Sequence, residues 1–132
     1  MNDAGYVNDN RPAAEKYNAA MNIIVEKLKT TGTRIVLASP GCIGNAPLWP
    51  FISELNGTLD GLNGSLMYIR DYAAAIAEAN HLPFVDHFWS LYQARFKALE
   101  DYGVEYSVFG KFDGVHPAWA GHVVMLYGYM KA

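Results

Sequence analysis

The sequence predicts an α/β domain built on a parallel sheet. Three observations carry that expectation. Stretches with the spacing of amphipathic helices alternate with short apolar runs. The two runs, Thr33-Arg-Ile-Val-Leu-Ala38 and Pro83-Phe-Val-Asp86, are rich in β-branched and aromatic residues without a polar alternation. That pattern suits strands buried on both faces, as parallel strands are. Glycines and prolines punctuate the boundaries between them.

Taken in order, Asn10-Arg-Pro12 reads as a helix start. Tyr17, Met21, Ile24 and Leu28 then recur at spacings of four and three, the stripe of one helical face, and Gly32 closes the helix. The first strand follows and is stopped by Ser39-Pro40-Gly41. Residues 40–65 read as a long loop. Asn56-Gly-Thr-Leu and Asn63-Gly-Ser-Leu are near copies within it, taken as turn chemistry rather than as glycosylation acceptors. A loop of that length in a compact domain is more often functional than idle, so Trp49 and Phe51 are candidates to line a substrate cleft, against the alternative, the stronger of the two, that they pack the loop down. Leu66, Ile69, Ala73 and Ile76 mark a second helix to about Asn80. The second strand is 83–86. Trp89, Tyr92, Phe96 and Leu99 mark a third helix closed by Gly103. Asp113–Pro117 leads into a fourth, with Trp119, Val123, Leu126 and Met130 on one face. Two strands are few for so many helices, because a stable sheet usually has three or more. The remaining strands are expected upstream of Met1.

The chain has 132 residues, enough for one domain, and no internal boundary is visible, so 1–132 is read as a single, incomplete domain. Its 52% hydrophobic residues supply a core and argue against disorder. Net charge is −3 and no Lys/Arg cluster exists, so nucleic-acid binding has no electrostatic footprint. No apolar run reaches the ~18 residues of a membrane span. Met1 is followed by Asn2 and Asp3 rather than by a basic and then an apolar stretch, so no signal peptide is read, and the compartment stays open. The lone Cys42 excludes an internal disulfide and a cysteine-based zinc site.

The feature with most chemistry is Asp113-Gly-Val-His116-Pro117. A carboxylate three residues before a histidine can fix the ring's tautomer and stabilise its charged form, the equipment of a general base. With Asp and Pro each at ~5% of residues, a given His has roughly a one-in-400 chance of both neighbours. Pro117 suits the first turn of the helix that follows. His81 reads as a helix-end cation facing the dipole, and His122 as a helix residue off the catalytic turn. Asp86-His87 together with His116 is a weaker metal alternative, without the ligand spacing of a known zinc motif. No metal and no cofactor are expected.

Asn2-Asp3 at the start, the strand ends at Ser39-Pro40 and Val85-Asp86, and Asp113-x-x-His116-Pro117 before the last helix resemble, in order and spacing, the SGNH (GDSL-type) hydrolases. The resemblance implies a flavodoxin-like three-layer αβα fold, here missing its N-terminal strands. It implies a serine ester hydrolase with His116 as base, Asp113 as its partner and Asn2 as an oxyanion-hole donor. A small ester is the implied substrate, with carbohydrate O-acyl esters the class that family habit suggests. The family's Gly-Asp-Ser block is absent. Ser39 sits at a strand end, but Ser-Pro-Gly is not a nucleophile elbow, and in the family this position is an ordinary strand exit. Cys42, three residues on, is a weaker thiol alternative.

Two functions therefore stand. One is the C-terminal portion of a serine esterase, inactive alone because its nucleophile lies upstream or in another chain. The other is a binding or interaction module that keeps the scaffold without the chemistry. In either, an exposed sheet edge is expected to invite self-association or a complementing chain.

Overall fold

The structure is a computed structural model that describes residues 2–44, 57–104, 106–110 and 114–132, the side chain of residue 2 excepted. Among the described residues a 3-10 turn, Asn2–Ala4, precedes four helices: α1 (Arg11–Lys29), α2 (Leu59–Ala79), α3 (His87–Tyr102) and α4 (Trp119–Lys131). Two short strands, β1 (Leu37–Ala38) and β2 (Phe84–Val85), pair in parallel, with Leu37 opposite Phe84 and Ala38 opposite Val85.

Helices cover both faces of this small sheet. Leu37 and Phe84, which point the same way, pack with Val25 of α1 and Ala73, Ile76 and Ala77 of α2. On the opposite face Val85 meets α4 at Gly128, where an added Cβ would lie 2.7 Å from the valine's Cγ1. Only glycine lets the helix axis come this close. A larger cluster sits beyond the strand ends, where Leu62, Leu66 and Ile69 of α2 meet Phe88 and Leu91 of α3, with Ile43 and Phe109 from the connecting segments.

The helix starts follow local chemistry. The Asn10 side chain accepts the Ala13 amide at 3.3 Å, with Pro12 in the first turn. Thr58 caps α2 by accepting the Gly61 amide at 3.0 Å, and Asp86 caps α3 by accepting the Trp89 amide at 3.1 Å.

Several expectations need correction. The strands are shorter than the apolar runs, two residues each rather than six and four. Helix α2 starts at Leu59 and absorbs the last part of the expected loop, because Leu59, Leu62 and Leu66 extend its apolar stripe backwards. Asn63-Gly-Ser65 is therefore helix interior, not a turn. Its Asn63 is buried, which excludes it from glycosylation in the folded chain. Asn56 lies outside the described residues.

The expected inner faces hold for α2, where Leu66, Ile69, Ala73 and Ile76 are all buried. They do not hold for α3, which buries His87, Phe88, Leu91 and Ala98 and leaves Trp89, Phe96 and Leu99 exposed. On α1, Ile24 and Leu28 are exposed, and on α4 Trp119, Val123, Leu126 and Met130 all are. His81 has left-handed backbone, φ 53°, in the turn just after α2, so its place is set by a backbone shape usually filled by glycine.

Candidate active site at the strand ends

The chain leaves β1 at Ser39 and β2 at Asp86, side by side, and one polar network joins them. The Ser39 hydroxyl accepts the Phe88 amide at 3.0 Å and lies 3.4 Å from Asp86 Oδ1, to which it donates. Asp86 Oδ2 receives Arg70 of α2 through Nε at 2.9 Å and Nη2 at 2.6 Å. This bidentate pairing, with Asp71 adding to it, raises the guanidinium further above its ordinary pKa. Both partners are about three-quarters buried, at 26% side-chain exposure each.

Beyond Ser39 the segment 41–44 is pinned from below. Asn63 accepts the Ile43 amide at 2.8 Å and donates to the Ile43 carbonyl at 3.1 Å, so one buried side chain satisfies both backbone groups of that residue. Gly44 then donates its amide to the Gly114 carbonyl at 2.8 Å. A Cβ at Gly44 would overlap the Phe109 ring, so the contact requires glycine.

Gly114 belongs to the Asp-x-x-His-Pro turn, which is held on a second side as well. Gly110 donates to the His116 carbonyl at 2.8 Å, Gly114 donates to the Gly110 carbonyl at 3.0 Å, and Phe109 pairs with Pro117 in an isolated antiparallel bridge. Ala118 closes onto the Val108 carbonyl at 2.9 Å. Gly114 itself takes φ 64° to make the turn. The result is an exposed imidazole, His116, on a backbone fixed to the segment that leaves the C-terminal end of β1. An imidazole so placed can take a proton from a hydroxyl brought to it.

The other sequence-predicted residues divide. Asp113, Trp49 and Phe51 lie outside the described residues. Asn2 opens the 3-10 turn, and its side chain lies outside the described residues. Its neighbour Asp3 reaches a cavity of about 380 Å³ shared with Ser39, His87 and Tyr129.

The described serines are committed elsewhere. Ser39 is buried in the network above. Ser65 donates to the Val7 carbonyl at 2.6 Å and accepts the Asn10 amide at 2.9 Å. Ser90 donates to the Asp86 carbonyl at 2.7 Å, and Ser107 accepts the Phe109 amide at 3.1 Å. Cys42 is buried, and burial pushes its thiol up to about 11, against a smaller opposing pull from Arg95. At neutral pH it is a thiol, not a nucleophilic thiolate.

Among the described residues no three His, Cys, Asp or Glu side chains are grouped so as to hold a metal ion, Asp86, His87 and His116 included. The Asp86 carboxylate faces Arg70, whereas the His87 ring lies edge-on to Tyr129 at 4.9 Å between centroids. His87 is 2% exposed and neither ring nitrogen is hydrogen-bonded among the described residues. Burial lowers its pKa, with the nearby Asp86 charge opposing. Among the described residues His122 bonds its own helix start, Nδ1 lying 3.0 Å from the Ala118 carbonyl.

Sequence reasoning missed Asn63 and Arg70. The first carried a signal, since Asn63 follows Leu62 on a stripe that runs unbroken from Leu59. The second did not, because Arg70 meets Asp86 only through the fold.

Compared with known families, residues 1–127 match the family model described as GDSL-like Lipase/Acylhydrolase. No curated protein and no solved structure matches the chain.

Proposed function

The chain belongs to the GDSL-like lipase/acylhydrolase family, and from that premise we propose that it supplies the base side of a serine ester hydrolase site. His116 takes the proton from a serine hydroxyl as that oxygen attacks an ester carbonyl, and returns it to the leaving alcohol. Asp113 holds the ring in the tautomer that can accept. The Asn2 amide donates to the oxyanion, a contact of the kind whose loss typically costs ~3 kcal/mol. Trp49 and Phe51 line the approach for the ester. Within the family, carbohydrate O-acyl esters are the substrate class proposed. The nucleophile comes from a polypeptide segment other than the described serines.

One observation carries this reading. The Asp-x-x-His-Pro turn is bound through Gly114 and Gly44 to the segment leaving the C-terminal end of β1, the side of an open α/β sheet where ligands bind. A second reading, a binding module without chemistry, is favoured by the commitment of every described serine to another bond.

Hydrolysis of p-nitrophenyl acetate and labelling by a fluorophosphonate decide between them. The chain alone should show neither. Turnover should appear when a family segment bearing the Gly-Asp-Ser block is supplied in trans, and H116A should abolish it. Turnover by the chain alone that H116A removes would overturn the claim of a missing nucleophile. No turnover with the added segment bound would favour the binding module.

A further inference from the structure

A groove of about 320 Å³ runs between α1 and α2, lined by Arg11, Ala14 and Glu15 of the first helix and by Tyr68, Asp71 and Tyr72 of the second. On each helix these residues recur at spacings of three and four, so they share one face. On α2 that face lies away from the sheet, because Ala73, Ile76 and Ala77 are the residues that pack with Leu37 and Phe84. Ala14 and Ala75 line the groove with single methyl groups, where larger side chains would close it. Its volume falls at the lower end of the ~300–1,000 Å³ typical of pockets that hold small molecules.

The charges in the groove do not balance one another. Arg11 stands four residues before Glu15, the spacing of a helical ion pair. It does not make that pair. Its guanidinium lies over the Tyr68 ring, 4.7 Å from the ring centre, and the Tyr68 hydroxyl is held in turn by donating to Asp9 at 3.1 Å. Glu15 is left without an ion pair among the described residues. On the other wall Asp71 pairs with Arg70 Nη1 at 2.9 Å, but that arginine gives Nε and Nη2 to Asp86, and the Asp71 side chain stays 60% exposed. Tyr72, one turn along α2 from Tyr68, lines the groove with no cation over its ring among the described residues.

We propose that this groove binds a small organic cation, an ammonium head that carries a short apolar body. The head rests against the Tyr72 ring, with Glu15 on one wall and Asp71 on the other. Three separate features ask for such a ligand. The electron-rich face of a tyrosine attracts a cation, and Arg11 on Tyr68 already makes that contact one turn away in the same groove. The two carboxylates, one from each helix, present a negative charge that Arg11, turned onto Tyr68, does not neutralise. The methyl groups of Ala14 and Ala75 offer apolar surface to the body of the ligand. An anion would meet two carboxylates. A neutral sugar would find hydrogen-bond partners but leave the charge unanswered. The site is separate from the hydrolase reading and does not depend on it, since binding is measured without turnover.

The test titrates the whole, isotopically labelled chain with choline and follows the NMR shifts of its amides and alanine methyl groups. Saturable shifts are expected at Ala14 and Ala75, with a Kd on the order of millimolar. The neutral alcohol with a tert-butyl group in place of the trimethylammonium has the same shape without the charge, and should bind about fivefold more weakly or less well still. Glu15→Gln removes one carboxylate from an exposed position and should weaken choline binding about threefold. Tyr72→Leu removes the ring and should weaken it about fivefold. Tyr72 is half-buried, so E15Q and the neutral alcohol decide the matter if Y72L does not fold. Phosphatidylcholine vesicles in place of choline identify the source. Capture of vesicles that E15Q reduces would make the cation a lipid headgroup, and no capture with choline still bound would make it a free ammonium compound. Absence of saturable shifts, equal binding of the neutral alcohol, choline binding unchanged in E15Q or in folded Y72L, or equally tight binding of glucose would overturn the proposal.

Discussion

The Ser39 hydroxyl accepts the Phe88 amide at 3.0 Å and faces Asp86 Oδ1 at 3.4 Å, so it closes the exit of β1 onto the first turn of α3. A serine at a strand end in an α/β hydrolase family invites a catalytic reading. Here both of its hydrogen-bonding roles are already filled, and the side chain is 5% exposed. Ser39→Ala should leave the Phe88 amide without that partner and cost about 1–2 kcal/mol in urea unfolding. It should not change fluorophosphonate labelling of any complemented site. Loss of labelling in S39A with unchanged stability would make Ser39 a nucleophile after all.

Asp86 holds three elements at once, capping α3 while pairing with Arg70 of α2 beside the β1 exit. Asp86→Ala should therefore cost about 2 kcal/mol or more, the loss of a cap plus a guanidinium left partly buried. Asp86→Asn, which keeps a capping oxygen, should cost less. Equal midpoints for the two variants in denaturant would show that the cap contributes nothing.

Asn63 satisfies both backbone groups of Ile43, one residue before the glycine that carries the Asp-x-x-His-Pro turn. Asn63→Ala strands the buried Ile43 N–H and leaves its C=O only the longer bond from Arg95 Nη1 at 3.4 Å, a loss of about 2 kcal/mol. Asn63→Asp keeps only the acceptor and should also destabilise. Hydrogen exchange at the Ile43 and Gly44 amides should accelerate in both, and unchanged protection would mean that the segment is held by other contacts.

His87 makes stability pH-dependent. Burial lowers its folded pKa below the ordinary 6.5, with Asp86 opposing. Above about pH 6.5 both folded and unfolded rings are neutral and this histidine adds no slope. As pH falls through that value, the unfolded chain takes a proton that the folded ring resists. Stability then drops until the folded pKa is reached. Melting temperatures from about pH 7.5 to 5 should decline in the native chain, and H87F should remove part of that decline. A curve unchanged by H87F would show that the ring is already protonated or partnered when folded.

Cys42, with its thiol pushed up to about 11, should react slowly with a disulfide reagent at pH 8 in the folded chain. It should react at the rate of a free thiol once urea unfolds it. Fast reaction without denaturant would place the sulfur at the surface.

Where sequence and structure agree, the determining interactions are local. Asn10 caps the helix that follows it by a bond that spans three residues, and that start was legible; Thr58 and Asp86 cap their helices in the same way, but the first was read as loop and the second as a strand end. The α2 stripe was legible because its positions Leu66, Ile69, Ala73 and Ile76 are all buried. On α3 two apolar stripes lie side by side, Phe88-Leu91-Ala98 and Trp89-Tyr92-Phe96-Leu99. Periodicity cannot choose between them, and packing against Leu62, Leu66 and Phe109 does.

The sequence by itself determined the α/β class, the helix order and the Asp113–His116 motif, since spacing and composition act over a few residues. Only the tertiary structure decided that Ser39 serves Phe88 and Asp86, that Arg70 meets Asp86, and that Asn63 holds Ile43. Each of these depends on bringing together groups that lie far apart along the chain, up to 49 residues for Ser39 and Phe88. Such pairings follow from how the layers pack and leave no periodic trace in the sequence.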